Sequence, residues 1–143
     1  MTKKRVENFV TKTFTIPGAP FGKQRPRVTR WGTYTPEKTM KYEELVRTIY
    51  QEQCENYSFA DMPISVSVIA YAPPLSKFNK KQRAAALAGE IYATRKPDLD
   101  NVMKIILDAL NGIAYQDDLY IYEMHIRREY SDEPRVVVTI TSS

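Results

Sequence analysis

The sequence predicts one α+β (mixed α/β) domain, a mixed sheet of about four strands packed with about three helices, and three observations carry that expectation. Residues 64–71 alternate Ile64, Val66, Val68 and Ala70 with Ser65, Ser67, Ile69 and Tyr71, the period of two of a strand with one buried face. Residues 101–110 place Val102, Ile106 and Leu110, with Met103 and Leu107, at helical spacing until Asn111-Gly112 stops the run. With 143 residues the chain is long enough to bury about 68–70% of its unfolded surface in a single core.

The remaining elements follow in order. Phe14-Thr15-Ile16 alternates and stops at Pro17-Gly18, a short first strand. Residues 18–36 hold three Gly, three Pro and four cations with no sustained period, and read as a loop. Thr35 is a good N-cap ahead of Pro36, and Met40, Leu45, Val46 and Ile49 form an apolar stripe over a first helix at 36–54. Pro73-Pro74 ends the strand at 64–71. Ser76 then caps a second helix, rich in Ala, Lys and Gln up to Gly89 and weakly amphipathic. Pro97 keeps Lys96 out of the helical region, and either Asp98 or Asp100 can cap the third helix. Over 119–130, Leu119 and Ile121 lie on one parity and Met124 and Ile126 on the other, which predicts a strand with a bulge near Tyr122-Glu123. The last strand, 135–141, sets Val136, Val138 and Ile140 on one face.

Composition narrows the class. A hydrophobic share of 43% with 27% charged residues and five Gly excludes disordered and collagen-like chains. Cys54 has no partner for an intrachain disulfide, which favours a reducing compartment. No apolar run approaches the roughly 18–20 residues of a membrane span, and no signal-type run follows the N-terminus, so a soluble cytoplasmic protein without membrane contact is expected. The net charge of +4 is unevenly spread: residues 1–47 hold 11 Lys and Arg against 4 Asp and Glu, the rest 10 against 13. A basic surface of this kind suits a polyanion, whose counterions are released on binding.

Four carboxylates stand out, Asp98 with Asp100 and Asp117 with Asp118, each pair at an element boundary. In an extended segment residues two apart share a face, so Asp98 and Asp100 can converge on one cation if the chain is not yet helical there. A few hard oxygen ligands suit Mg²⁺, which takes its remaining ligands from water and phosphate. The plain alternative is that the first pair caps a helix and the second forms a turn. Lys104, one turn beyond Asp100, can offset charge on a phosphate or simply pair with Asp100 or Asp108. Lys23, Arg25, Arg27 and Arg30, with Trp31 and Tyr34 interleaved, can grip a phosphate backbone and stack on unpaired bases, or form a solvated basic loop. Lys77, Lys80, Lys81 and Arg83 on the second helix read first as a solvated helix face and can also extend that surface. His125, the single histidine, has no neighbouring Cys or His, gives no zinc or triad pattern and reads as structural. Asp98-Leu-Asp100-Asn begins like a calcium loop, but Val102 replaces the third ligand and no Gly follows at the turn position. There is no glycine-rich phosphate loop.

The run from Lys96 through Pro97, Asp98, Leu99, Asp100, Asn101, Val102 and Met103 to Lys104 is followed by Asp108-Ala-Leu-Asn-Gly and then Asp117-Asp118. This pattern resembles the signature of the RusA-type Holliday junction resolvases of bacteria, phages and prophages. Gly18, the stretch from Gly22 to Arg27, Tyr34-Thr-Pro36 and Tyr42 match it as well, and the likeness spans roughly residues 14 to 140. The resemblance implies an endodeoxyribonuclease dependent on Mg²⁺, with Mn²⁺ as a substitute. It also implies a homodimer that resolves a four-way DNA junction by paired symmetric nicks. It makes Asp98, Asp100 and Asp118 the metal-binding and catalytic carboxylates, Asp117 a further ligand or supporting group, and Lys104 the functional lysine. Lys96 stands for the family's basic residue before the first Asp, displaced one position by Pro97, and joins Lys23, Arg25, Arg27 and Arg30 as a DNA contact. Residues 14–143 form the endonuclease domain in this reading, and residues 1–13 a flexible basic arm.

Two other readings are open to the sequence. A restriction-type nuclease starting at Pro97-Asp98 requires a later Asp/Glu-x-Lys on a strand, and the only late lysine, Lys104, sits in a helix. A non-catalytic DNA-binding module requires that the Asp residues be caps and turns.

Overall fold

The computed structural model describes residues 9–142. In chain order they form β1 (Thr11–Pro17), β2 (Arg27–Thr29), β3 (Gly32–Tyr34), α1 (Glu37–Gln53), β4 (Ile64–Ala72), α2 (Lys80–Leu87), α3 (Leu99–Leu110), a 3-10 turn (Asp118–Tyr120), β5 (Ile121–Tyr130) and β6 (Arg135–Ser142). Strand order in the main sheet is β1-β6-β4-β5; β4 and β5 run parallel, and the other neighbours antiparallel. The expected single α+β domain, a four-stranded mixed sheet with three helices, is what forms.

Period-two alternation decides which face of the sheet is buried. Ile64, Val66, Val68 and Ala70 of β4 join Val136, Val138 and Ile140 of β6 and Phe14 and Ile16 of β1 in one core. α1 and α3 supply the other side of that core, with Val46 and Tyr50 from the first and Val102, Ile105, Ile106 and Leu110 from the second. Each fully buried Ile or Phe contributes about 1.5–3 kcal/mol of transfer free energy, so Ile105→Ala, at a site with no exposure, costs about 2–5 kcal/mol once the cavity is included. The Phe14 ring meets Tyr50 edge-on at 5.2 Å, and the Tyr50 hydroxyl donates to the Tyr57 carbonyl. α2 covers a smaller cluster of Ala72, Ala86 and Tyr130.

Several boundaries differ from the sequence expectation for identifiable reasons. β1 starts at Thr11 because Thr11 and Thr13 face Thr141 and Thr139 across the strands, polar pairs that carry no hydrophobic signal. Residues 11–13 therefore belong to the sheet and not to a basic arm; residues 1–8 of that arm lie outside the described residues. The supposed loop at 18–36 contains the β2–β3 hairpin, whose three-residue strands are exposed throughout and too short to show a period. α1 begins after Pro36 with no side-chain cap, so Thr35 does not cap it. α2 is capped by Asn79 rather than Ser76: Asn79 Oδ1 accepts from the Gln82 amide at 2.8 Å and Gln82 Oε1 from the Asn79 amide at 2.9 Å. The bulge in β5 forms where parity switches, Ile121 facing Ile64 and Glu123 facing Ser65 with Tyr122 left over. Leu119 falls in the 3-10 turn before the strand.

Candidate active site

α3 is strongly two-faced. Val102, Met103, Ile105, Ile106, Ala109 and Leu110 are buried, which turns Asp100, Lys104 and Asp108, four apart, outward together. These three line one open cavity of about 380 Å³ with Asp118, over an apolar floor that includes Met103, Leu107, Met124 and Ile126. The bulge brings Met124 and Ile126 to this floor, since the strand would otherwise keep the parity of Ile121.

Asp98 occupies the N-cap position of α3 in an extended conformation (φ −62°, ψ 144°), but its carboxylate makes no capping hydrogen bond. Only its carbonyl serves the helix, accepting from the Val102 amide at 3.1 Å. Because the helix already begins at Leu99, the extended-chain rule that would aim Asp98 and Asp100 at one face does not operate. Asp98 lines a neighbouring groove of about 550 Å³ with Gly22, Lys23, Lys96 and Asn101.

Asp117 and Asp118 differ in kind. Asp117 Oδ1 accepts from the Leu119 amide at 2.9 Å, and that bond, helped by a hydrogen bond with Asp118, lowers its carboxyl below the ordinary value. The same bond to Asp117 raises Asp118, with desolvation and the charges of Asp117 and Asp108 adding to it. Behind the pair, buried Tyr115 donates to the Leu107 carbonyl at 2.7 Å and ties this loop to α3. Burial, then the charges of Asp118, Asp108 and Asp117, push its phenol far up.

Two basic residues fasten the segments around α3. Lys23 Nζ lies 3.0 Å from Glu43 of α1 and 3.2 Å from Asp108 of α3, and its amide donates to the Asn101 carbonyl at 2.9 Å. Lys104 reaches the same oxygen of Asp108 at 3.4 Å. From β5, Arg128 donates to the carbonyls of Arg95 and Pro97, holding the segment that leads into Asp98. Burial lowers the Arg128 pKa, while the charge of Asp98 works against that shift.

The sequence candidates therefore divide. Asp100, Lys104 and Asp118 share a cavity; Asp98, Lys96 and Lys23 line the adjoining groove; Arg25, Arg27 and Arg30 are exposed on the segment that includes the hairpin. His125 is exposed on β5, 3.2 Å from Glu123. Sequence reasoning missed Glu43, Tyr115 and Arg128, which act across the chain and leave no local spacing signal.

The chain matches the family model described as "Endodeoxyribonuclease RusA" over residues 17–141. It belongs to that family. It is also 35% identical over 133 residues to the uncharacterized protein YqaN of Bacillus subtilis (strain 168), covering 89% of this chain and 93% of that one. Membership makes the chain an endodeoxyribonuclease, a hydrolase of phosphodiester bonds within DNA strands. Nucleases of this family's kind generally depend on a divalent metal. Among the described residues no three His, Cys, Asp or Glu side chains form a ready ligand set for one ion. Asp100 and Asp118 on one open cavity do suit a hard cation of the Mg²⁺ type, which takes few carboxylates and completes its shell with water and phosphate oxygens. Among the described residues, no helix is long and apolar enough to cross a membrane.

Proposed function

We propose that the chain is a Mg²⁺-dependent endonuclease that acts on four-way DNA junctions as a homodimer and makes paired symmetric nicks, with Mn²⁺ able to replace Mg²⁺. The observation that carries this reading is the cavity shared by Asp100, Lys104 and Asp118. Asp100 and Asp118 would hold the cation, with Asp98 contributing from the adjoining groove and Asp117 supporting Asp118. When bound, the cation supplies Lewis acidity and a water acidic enough to attack at neutral pH. Lys104, 60% exposed and held by one weak ion pair, is free to move onto a phosphate oxygen and offset the negative charge that builds there. Arg25, Arg27, Arg30 and Lys96 are exposed cations suited to the DNA backbone.

A non-catalytic module would use its Asp residues as caps and turns. Asp117 does serve a turn, but Asp98 makes no capping bond and Asp100 lies inside the helix. One cavity per chain can cut one strand, so resolving a junction calls for two copies related by a two-fold axis. Exposed Leu119 in the 3-10 turn, with Tyr122 and Met124 on the edge strand β5 that follows it, provides apolar surface for that contact.

The test compares an immobile four-way junction with linear duplex of the same sequence, with Mg²⁺ and with EDTA. Paired nicks on the junction, in metal only, are expected. Full cutting in EDTA or equal cutting of linear duplex would overturn the reading.

A further inference from the structure

Residues 24–36 contain no acidic side chain and three arginines, and their central part forms a two-stranded ribbon apart from the main sheet. Arg27 pairs with Tyr34, Val28 with Thr33 and Thr29 with Gly32, which leaves Arg30 and Trp31 as the two residues of the tip. The tip is well formed. Thr29 Oγ1 donates to the Gly32 carbonyl at 3.1 Å and accepts from the Trp31 amide at 3.2 Å, and Gly32 takes a φ of +126° that a side chain would resist.

Every residue of both strands is exposed. Val28 is 80% and Trp31 84% exposed, and the Arg30 guanidinium stacks on the Trp31 ring at 4.8 Å. Two-stranded ribbons are marginal in water alone, and this one buries nothing that would stabilise it. Its ring is presented to solvent with a cation on it and further cations at its base. That chemistry matches one ligand: a nucleobase without a stacking partner, flanked by phosphates. A continuous duplex offers phosphates but no free base face, whereas a strand-exchange point offers both.

We propose that the β2–β3 ribbon is a branch-point contact in which Trp31 stacks on an unstacked base while Arg25, Arg27 and Arg30 take the adjoining phosphates. This rests on the reading of the chain as a junction enzyme and adds the element that distinguishes a junction from linear duplex. The nuclease cavity recognises a phosphodiester and is common to both DNAs; the ribbon supplies the selectivity.

Trp31 is the only tryptophan in the chain, so its emission reports on this contact alone. The full chain is titrated in EDTA with an immobile four-way junction and with linear duplex of the same sequence, binding being followed in parallel by anisotropy of labelled DNA. The junction should quench Trp31 as it binds, and the duplex should bind without quenching. Trp31→Ala should weaken junction binding by about 5- to 150-fold, the range that base–aromatic stacking gives, with duplex binding unchanged and Trp31→Phe close to the parent. The tip is outside the core, so these variants keep the fold, which circular dichroism checks. Equal quenching by both DNAs, equal losses on both DNAs, or no loss with Trp31→Ala would overturn the proposal. The two readings fail separately. A chain that cuts the junction in Mg²⁺ without Trp31 quenching overturns this inference only. One that shows selective quenching and never cuts upholds it and overturns the resolvase reading.

Discussion

Lys23 and Asp108 meet at 3.2 Å and join the loop after β1 to the last turn of α3. The two side chains are 18% and 29% exposed, and Glu43, at 13%, holds the same ammonium from α1. Lys104 approaches the same carboxylate oxygen from solvent. Asp108 thus has one shielded cation and one exposed one. The first pair binds three segments together, and the second is weak enough to be exchanged for a phosphate.

Lys23→Met should therefore act on stability and Lys104→Met on catalysis. Removing Lys23 leaves part-buried Glu43 without its cation and Asp108 with only the exposed Lys104, a loss of about 1–3 kcal/mol in urea unfolding. Removing Lys104 should change stability by less than about 0.5 kcal/mol but lower nicking about 10²–10³-fold. Burial alone pulls the Lys23 pKa down, yet the hydrogen bonds and charges of Glu43 and Asp108 outweigh it and leave the pKa raised above 10.5. A raised lysine stabilises fully below its unfolded value and loses that contribution as pH rises through the higher folded one. The stability gap between parent and Lys23→Met should stay flat from about pH 7 to 9 and close only in stronger alkali. A gap that closes below pH 9 would contradict this.

Gly22 is required for space. A Cβ placed on it would stand 2.7 Å from Pro97 Cβ and 3.2 Å from Asn101 Cβ. Gly22→Ala must push the loop off the start of α3, stretching the bond from the Lys23 amide to Asn101. A loss of about 1–3 kcal/mol by denaturation, with reduced nicking, is expected.

How far the sequence could be read depended on the range of the interactions. β4 and α3 were legible because their apolar periods are long and lie within the element. The bulge at Tyr122 was legible too, as a change of parity between Ile121 and Met124. The β2–β3 hairpin was not, since all six strand residues are exposed and nothing alternates. Of the site, the i,i+4 line from Asp100 to Asp108 followed from helical spacing. The divergence of Asp98 from Asp100 turned on a helix start two residues earlier than expected. Lys23 gave no local sign of its partners, Glu43 lying 20 residues ahead in the chain.

Asp117 and Asp118 should separate on mutation. Asp117 spends an oxygen on the Leu119 amide, which Asn can also serve, so Asp117→Asn should keep nicking within about tenfold of the parent. Asp118 lines the cavity with Asp100, and Asp118→Asn should lose more than about 100-fold, as removal of a charged transition-state contact does. Single-turnover nicking of both variants under the same metal concentration decides it; equal losses would mean that the two carboxylates work as one unit.

Asp100→Asn should abolish cutting while junction binding stays intact or tightens. Asp100 lies in the first turn of α3, one turn before Lys104, and does not cap the helix, because the N-cap position belongs to Asp98. Its contribution to the fold is therefore limited to the favourable field of a negative charge near a helix N-terminus, about 0.3–1 kcal/mol, and the variant should remain folded. Its proposed contribution to function is larger. A carboxylate about 4 Å from a phosphate is repelled by about 1–4 kcal/mol at effective dielectrics of about 80 to 20, and a bound cation normally removes that repulsion. The neutral isostere removes both the repulsion and the metal ligand, so binding and cleavage should part, most clearly in EDTA, where the parent has no cation to screen the site. Mg²⁺ should then tighten junction binding by the parent far more than by the variant. Ca²⁺ should support binding by the parent with little turnover, since it tolerates looser geometry and activates water less well. Gel shifts and nicking on the same preparations measure both sides, and retained nicking by Asp100→Asn would remove Asp100 from the metal site.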